Sequence, residues 1–199
     1  MKLQVALDVT DEKEALKIAK EVHEFVDIIE AGTPLIKSTG MGIVDKLKRY
    51  GKEVLADTKT MDAAAVEAEE AKSRGADYFT VLAVAPENTK REALHVKGIK
   101  KVIDLIGVPD KVSVAEKYAP LFDLTALHTG IDEGYFSPEG LEPLRGLKGL
   151  SVAGGINLGN VEQIAELLCP EVVIVGRAIT KAKSPRDAAK RFREVLDCF

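Results

Sequence analysis

The sequence predicts an α/β fold, a single small (β/α)8 TIM barrel spanning residues 1–199. Three observations carry this. Short apolar runs alternate with amphipathic segments from end to end. Most runs are apolar throughout, as suits parallel strands covered on both faces by helices. No Gly-rich nucleotide fingerprint follows the first run, where Asp8-Val9-Thr10-Asp11 stands instead. The last point counts against an open doubly wound sheet, the second reading of the same alternation.

In chain order, the strands are expected at 3–7, 26–30, 53–56, 78–82, 101–105, 124–127, 150–153 and 172–175. Helix signals fall between them. Asp11 with Glu14 makes a capping box ahead of Ala15, Leu16, Ala19 and Val22. Ser113 with Glu116 repeats the pattern. Ser137-Pro138 and Ser184-Pro185 each place a capping residue before a proline at the first helical position. Eight such alternations in about 200 residues are the count of a barrel. A chain of 199 residues supports one sizeable core and is short for two domains. No linker, low-complexity stretch or short-period repeat interrupts it. Trp is absent and aromatics are few, so the core falls to Val, Ile, Leu and Ala.

Composition excludes several functions. The net charge is -4 with the signs interspersed, and there is no basic stripe for nucleic acid. No apolar run approaches the roughly 18 residues of a membrane span. Met1-Lys2-Leu3-Gln4-Val5 enters a strand pattern directly, without a signal-peptide layout. Cys169 and Cys198 are isolated and lack metal spacing, and are expected to be reduced thiols of a cytoplasmic protein.

Barrels carry their chemistry at the C-terminal ends of the strands. Read there, the chain offers Asp8; Glu30, then Gly32-Thr33-Pro34; Asp57 and Lys59; Asp104; His128; Gly154-Gly155; and Gly176-Arg177. The densest stretch is Asp57-Thr58-Lys59-Thr60-Met61-Asp62. Asp57 and Lys59 are two apart and point to the same side of an extended chain. Partly buried ion pairs stabilise weakly, so these charges indicate a metal or phosphate site. Asp8, Glu30 and Asp57 each end an apolar strand, and carboxylates sharing a cavity repel unless a cation joins them. Mg²⁺ suits such oxygen donors, Mn²⁺ accepts the same ligands, and no Cys/His set favours zinc. Asp110, Asp123 and Glu133 read instead as solvated loop charges.

Gly154, Gly155 and Gly176 allow backbone N–H groups to approach an anion, beside a helix N-terminus for which Asn157 is the capping candidate. Arg177 adds a bidentate contact to phosphate. The plainer reading of these glycines is turn formation. Lys183 and Arg186 read as solvated charges at the start of a mixed surface helix that also carries Asp187 and Glu194. Of 3 histidines, His23 and His95 fall in helical stretches as surface or packing residues. His128 follows an apolar strand and is the acid/base candidate, since an unperturbed pKa of ~6.5 suits proton transfer near neutral pH. A structural histidine is the alternative.

These residues, in this order, resemble the orotidine 5'-monophosphate decarboxylase suprafamily. The nearest branch within it holds 3-hexulose-6-phosphate synthase and 3-keto-L-gulonate-6-phosphate decarboxylase. The resemblance runs nearly end to end. It rests on Ala6-Leu7-Asp8, Glu30-Ala31-Gly32-Thr33-Pro34-Leu35-Ile36, the Asp-x-Lys-x-x-Asp element at Asp57, Lys59 and Asp62, and Asp104-Leu105-Ile106-Gly107-Val108. His128-Thr129-Gly130, Ala153-Gly154-Gly155-Ile156 and Val175-Gly176-Arg177-Ala178-Ile179 complete it.

The resemblance implies that Glu30 and Asp57 bind Mg²⁺ and that Lys59 contacts substrate oxygens and stabilises enolate charge. It implies that Asp62 reaches into the neighbouring subunit's site, hence a homodimer. Asp8 would hold the network and the substrate hydroxyls, and Gly155, Gly176 and Arg177 would grip the phosphate. Decarboxylases of this branch carry Glu on strand five and Arg three residues after the strand-six His. Asp104 and Ile131 stand there in this chain and favour the synthase side, although the stretch after Gly130 follows the synthase pattern only in part. The implied reaction is a Mg²⁺-dependent aldol addition of D-ribulose 5-phosphate to formaldehyde through an enediolate, with His128 as base and Asp104 orienting the network or a water. Other readings are decarboxylation of 3-keto-L-gulonate 6-phosphate, phosphosugar epimerisation, and non-catalytic binding of a phosphate ligand.

Overall fold

Eight parallel strands pair in chain order and the last closes on the first. The computed structural model describes residues 1–130, 132 and 136–199. The strands are β1 Lys2–Leu7, β2 Ile28–Ala31, β3 Glu53–Thr60, β4 Tyr78–Leu82, β5 Lys100–Asp104, β6 Leu124–His128, β7 Leu150–Ala153 and β8 Val172–Val175. The helices are α1 Glu12–Val22, α2 Thr33–Thr39, α3 Ile43–Lys48, α4 Ala64–Ser73, α5 Glu87–His95, α6 Lys111–Tyr118, α7 Val161–Leu168, α8 Arg177–Thr180 and α9 Pro185–Leu196. The closed ring decides for the barrel over the open sheet. Among the described residues no helix is long and apolar enough to cross a membrane.

The pleat sorts each strand into two faces. On β1, Leu3, Val5 and Leu7 face outward into the layer shared with the helices, against residues such as Ala15, Ala19 and Val22 of α1. Inward-facing Ile28, Leu55, Tyr78, Val102, Leu124 and Val172 form a separate plug inside the barrel. That plug supports a polar layer at the C-terminal ends.

Three aspartates set the strand starts. Asp27, Asp77 and Asp123 each precede an even-numbered strand, and each accepts a hydrogen bond from a backbone N–H on the preceding strand: Leu3 at 2.8 Å, Val54 at 2.7 Å and Lys101 at 2.8 Å. Asp123 is therefore a strand-pairing residue and not a bare solvated charge. The floor of the barrel is pinned by Glu53, whose Oε2 lies 2.6 Å from Lys2 Nζ and whose Oε1 lies 3.1 Å from both Tyr78 OH and Lys100 Nζ. Burial alone would push the Glu53 carboxyl up. The bonds from Lys2 and Lys100 outweigh it and hold the group down at about 2.

Two caps form as expected: Asp11 accepts from Glu14 N–H at 2.7 Å and Ser184 from Asp187 N–H at 3.2 Å. Two do not. The cap of α6 is Asp110, which accepts from Ser113 N–H at 3.1 Å, so Ser113 lies inside the first turn and Asp110 is more than a loop charge. Ser137-Pro138 opens no α-helix. Ser137 accepts a local bond from Glu139 N–H at 3.3 Å, and a short 3-10 turn, Glu142–Leu144, follows. Pro138, Gly140, Pro143 and Gly146 crowd that crossover, and each removes a donor or weakens a helical turn.

Candidate active site

A cavity of about 550 Å³ opens at the C-terminal ends of the strands. Its walls include Asp8, Glu30, Asp57, Lys59, Asp104, His128, Gly154, Gly155, Gly176 and Arg177. Every expected site residue but one therefore meets in a single place. The exception is Asp62, which is exposed just beyond β3 and lines no part of this cavity.

The strand ends explain the convergence. β3 runs on past Ala56 to Thr60, and its pairing with β4 slips between those two residues. Within this bulge Lys59 takes a left-handed conformation, φ 46°. For a non-glycine residue that costs about 1–3 kcal/mol, and such strain concentrates at functional sites. Asp57 and Lys59 do face each other, with Lys59 Nζ 2.7 Å from Asp57 Oδ2, but through a bulge and not through plain strand alternation. The same ammonium lies 3.2 Å from Asp104 Oδ2. Asp104 in turn lies 2.9 Å from His128 Nδ1 and accepts from Ile106 N–H at 2.9 Å.

Three polar side chains and one glycine, to which the sequence assigned no role of their own, hold these groups. Thr33 Oγ1 lies 2.7 Å from the Asp57 carbonyl oxygen and 2.8 Å from Asp57 Oδ2. Thr80 Oγ1 donates to Asp57 Oδ1 at 2.8 Å. Gln4 Nε2 donates to Glu30 Oε2 at 2.5 Å. Gly32 lies so close to Asp8 that a Cβ there would stand 2.2 Å from Asp8 Oδ1 and 2.8 Å from the Leu7 carbonyl oxygen. Gln4, the polar interruption of an otherwise apolar β1, was the legible signal; Thr33 and Thr80 look like ordinary β-branched residues.

The electrostatics are those of an acid-rich pocket with one central cation. Burial, then Asp57 and Asp8, push the Glu30 carboxyl well above the usual range. Asp8 stands at the open mouth, yet loss of bulk water and then Asp57 raise it too. Burial alone would lower the Lys59 ammonium, but Asp57, Asp104 and Glu30 raise it, so it stays charged. Burial would likewise raise Asp104, but the hydrogen bond and charge of His128, with Lys59, bring it below its ordinary value. Asp8, Glu30 and Asp57 thus bring three carboxyl groups to one cavity, where sharing the space disfavours their charged forms unless a cation joins them, and they offer hard oxygen donors of the kind Mg²⁺ prefers. Among the described residues no group of three or more His, Cys, Asp or Glu side chains is placed to hold a metal ion alone. Were Mg²⁺ bound, Glu30 and Asp57 would be its candidate ligands, with water and substrate oxygens completing the shell, as Mg²⁺ sites commonly allow.

At the end of β7, Gly154 has φ 108°, and a Cβ there would stand 2.2 Å from the Thr129 carbonyl oxygen. Arg177 opens α8 directly after Gly176. Asn157 does not cap the following helix. It bonds Gly155 O at 3.1 Å and Gly159 N at 2.8 Å, and α7 begins only after Asn160. His23 packs against Tyr50 with ring centroids 5.5 Å apart and tilted by 42°, and His95 ends α5, both away from the cavity. Arg186 pairs with Glu24 at 2.6 Å and covers Phe25, a surface role as expected. Ile131 and Glu133 lie outside the described residues.

Comparison with known proteins gives the family and the fold. Residues 1–192 match the model of the family described as "Orotidine 5'-phosphate decarboxylase / HUMPS family". The chain is 38% identical to 3-hexulose-6-phosphate synthase of Mycobacterium gastri, over 98% of this chain and 100% of the relative. It superposes on the crystal structure of 3-hexulose-6-phosphate synthase from Salmonella typhimurium with a TM-score of 0.92 at 37% identity, covering 100% and 99% of the two chains. The crystal structure of KGPDC from Streptococcus mutans gives a TM-score of 0.86 at 28% identity, covering 99% and 97%.

Proposed function

The chain belongs to the orotidine 5'-phosphate decarboxylase / HUMPS family, and we propose that it catalyses the aldol joining of D-ribulose 5-phosphate and formaldehyde to D-arabino-3-hexulose 6-phosphate, and the reverse cleavage. The observation that carries this reading is Asp104. One buried carboxylate is bonded both to His128, a proton-transfer group, and to Lys59, a cation that can meet developing oxyanion charge. Near full-length identity to proteins of that name supports it.

In this reading the substrate phosphate lies at Gly154, Gly155, Gly176 and Arg177. Asp104 engages His128 Nδ1, which leaves Nε2 to take the proton from C1 of the pentulose. Lys59 stabilises the enediolate oxygens, and Asp8 holds the hydroxyls. The C1 carbon then bonds to the formaldehyde carbon, and the new alkoxide receives a proton from His128. Glu30 and Asp57 would hold Mg²⁺, or Mn²⁺, which when bound acts as a Lewis acid on the substrate carbonyl.

We further propose a homodimer in which Asp62 serves the neighbour's cavity. Its exposure outside its own cavity supports this. So do the exposed apolar side chains of Met61 just after β3, Val66 on α4 and Val84 in the β4–α5 loop. A cytoplasmic location fits the free, exposed thiols of Cys169 and Cys198.

The test is formaldehyde consumption with ribulose 5-phosphate, first with Mg²⁺ and then with chelator. Consumption abolished by chelator is the expected result. No consumption by folded, metal-supplied protein, together with turnover of 3-keto-L-gulonate 6-phosphate, would transfer the reading to decarboxylation.

A further inference from the structure

The slip between β3 and β4 pairs Ala56 with Phe79 and Thr60 with Val81, so residues 57–59 all lie opposite Thr80. Thr80 bonds all three. Its Oγ1 donates to Asp57 Oδ1 at 2.8 Å, its carbonyl oxygen accepts from Thr58 Oγ1 at 2.9 Å, and its Oγ1 accepts from Lys59 N–H at 2.8 Å. A hydroxyl has one proton and two lone pairs, so it can donate to the carboxylate and accept from the amide at once. The Lys59 N–H, turned out of the ladder by the bulge and by φ 46°, thereby gains a partner inside the protein. Thr80 is 4% exposed, so water does not readily replace it.

We propose that Thr80 is a positioning residue for the reaction: its single hydroxyl locks the left-handed Lys59 and the Asp57 carboxylate into one register, so that ammonium and carboxylate meet in the cavity. It touches no reacting atom and acts through the two groups that do. The proposal rests on the aldol reading for its kinetic consequence but not for its structural one.

Thr80→Val keeps the shape and removes both hydroxyl bonds; Thr80→Ser keeps the bonds and removes a methyl. Three readouts apply to wild type and both variants: steady-state formaldehyde fixation, Mg²⁺ binding by calorimetry, and hydrogen–deuterium exchange of peptides covering 57–62. For Thr80→Val, kcat and Mg²⁺ affinity are each expected to fall roughly 10- to 100-fold, the usual loss for a residue that orients a site group, with KM changed less than about threefold. Exchange is expected to quicken at 57–62 and not elsewhere. Thr80→Ser is expected to stay within about threefold of wild type in all three.

A Thr80→Val protein with wild-type kcat and exchange overturns the proposal. So does a Thr80→Ser protein as impaired as Thr80→Val, because the methyl and not the hydroxyl would then matter. Should Thr80→Val melt too low to assay, Thr80→Cys, near serine in size but a weak donor, is compared with Thr80→Ser under the same criteria. If the wild type fixes no formaldehyde the aldol reading fails, and the exchange data alone still decide on Thr80.

Discussion

Lys59 joins an unfavourable backbone to a favourable side chain. Its ammonium lies within 3.2 Å of two buried aspartates, while its φ of 46° is one that L-residues avoid. The two effects can be separated by substitution. Lys59→Ala removes the ammonium and keeps the strain, whereas Lys59→Gly removes both. Turnover is expected to fall by at least about 10²- to 10³-fold in each, the scale of losing a preorganised group aimed at developing charge. In urea unfolding, Lys59→Gly is expected to be more stable than Lys59→Ala by about 0.5–1 kcal/mol, once glycine's greater chain entropy is deducted. Near-normal activity of Lys59→Ala would remove its assigned role, and a less stable glycine variant would remove the strain argument. The charged residues of this site were legible because acids ending apolar strands have few structural uses. Thr33 and Thr80 were not, because a strand threonine is unremarkable until its hydroxyl is seen beside Asp57.

Among the elements, the β-strands were read more surely than the helices. Runs such as 78–82, 150–153 and 172–175 reappear with identical limits, because a strand buried on both faces is marked by its own apolar sequence. The bulge in β3 was not legible, since it is a property of the register between β3 and β4 and not of β3 alone. The cap of α6 was misread because Asp110 and Ser113 are both capping types three residues apart, and only the backbone tells which one stands outside the helix. Glycines show the same dependence on context. Gly154→Ala puts a methyl 2.2 Å from a backbone oxygen at φ 108°, and is expected to cost about 2–4 kcal/mol in urea unfolding. Gly42→Ala, with φ -60° and no atom within 4 Å of the new methyl, is expected to be neutral or stabilising by up to about 1 kcal/mol. Equal costs at the two positions would show that the loop after β7 can relax around Gly154.

For the whole molecule, the barrel is stabilised at one end and reactive at the other. At the floor, Glu53 has its pKa depressed from 4.5 to about 2 by Lys2 and Lys100. A depressed acid contributes stability above its unfolded value, and that contribution is lost as pH falls from 4.5 towards 2. Glu53→Gln is therefore expected to lower Tm at pH 7 by roughly 2–4 °C, solvent screening limiting the effect, with the deficit vanishing by about pH 2. A pH-independent deficit in thermal melts would assign the loss to packing instead. At the other end, Asp62 is the one expected site residue absent from its own cavity, and this makes subunit exchange decisive. If each site takes Lys59 from one subunit and Asp62 from the other, Lys59→Ala and Asp62→Ala homodimers are both inactive. A mixed dimer has one site with both residues intact and one with neither. Random exchange of equal amounts makes half the dimers mixed, with half their sites restored, so activity is expected to rise to about a quarter of wild type. Fluorescence energy transfer between labelled subunits would show that exchange had occurred. Exchange without recovery, with Asp62→Ala inactive alone, would put both residues in one subunit's site and end the shared-site reading, and recovery near a quarter would place Asp62 across the subunit boundary from Lys59.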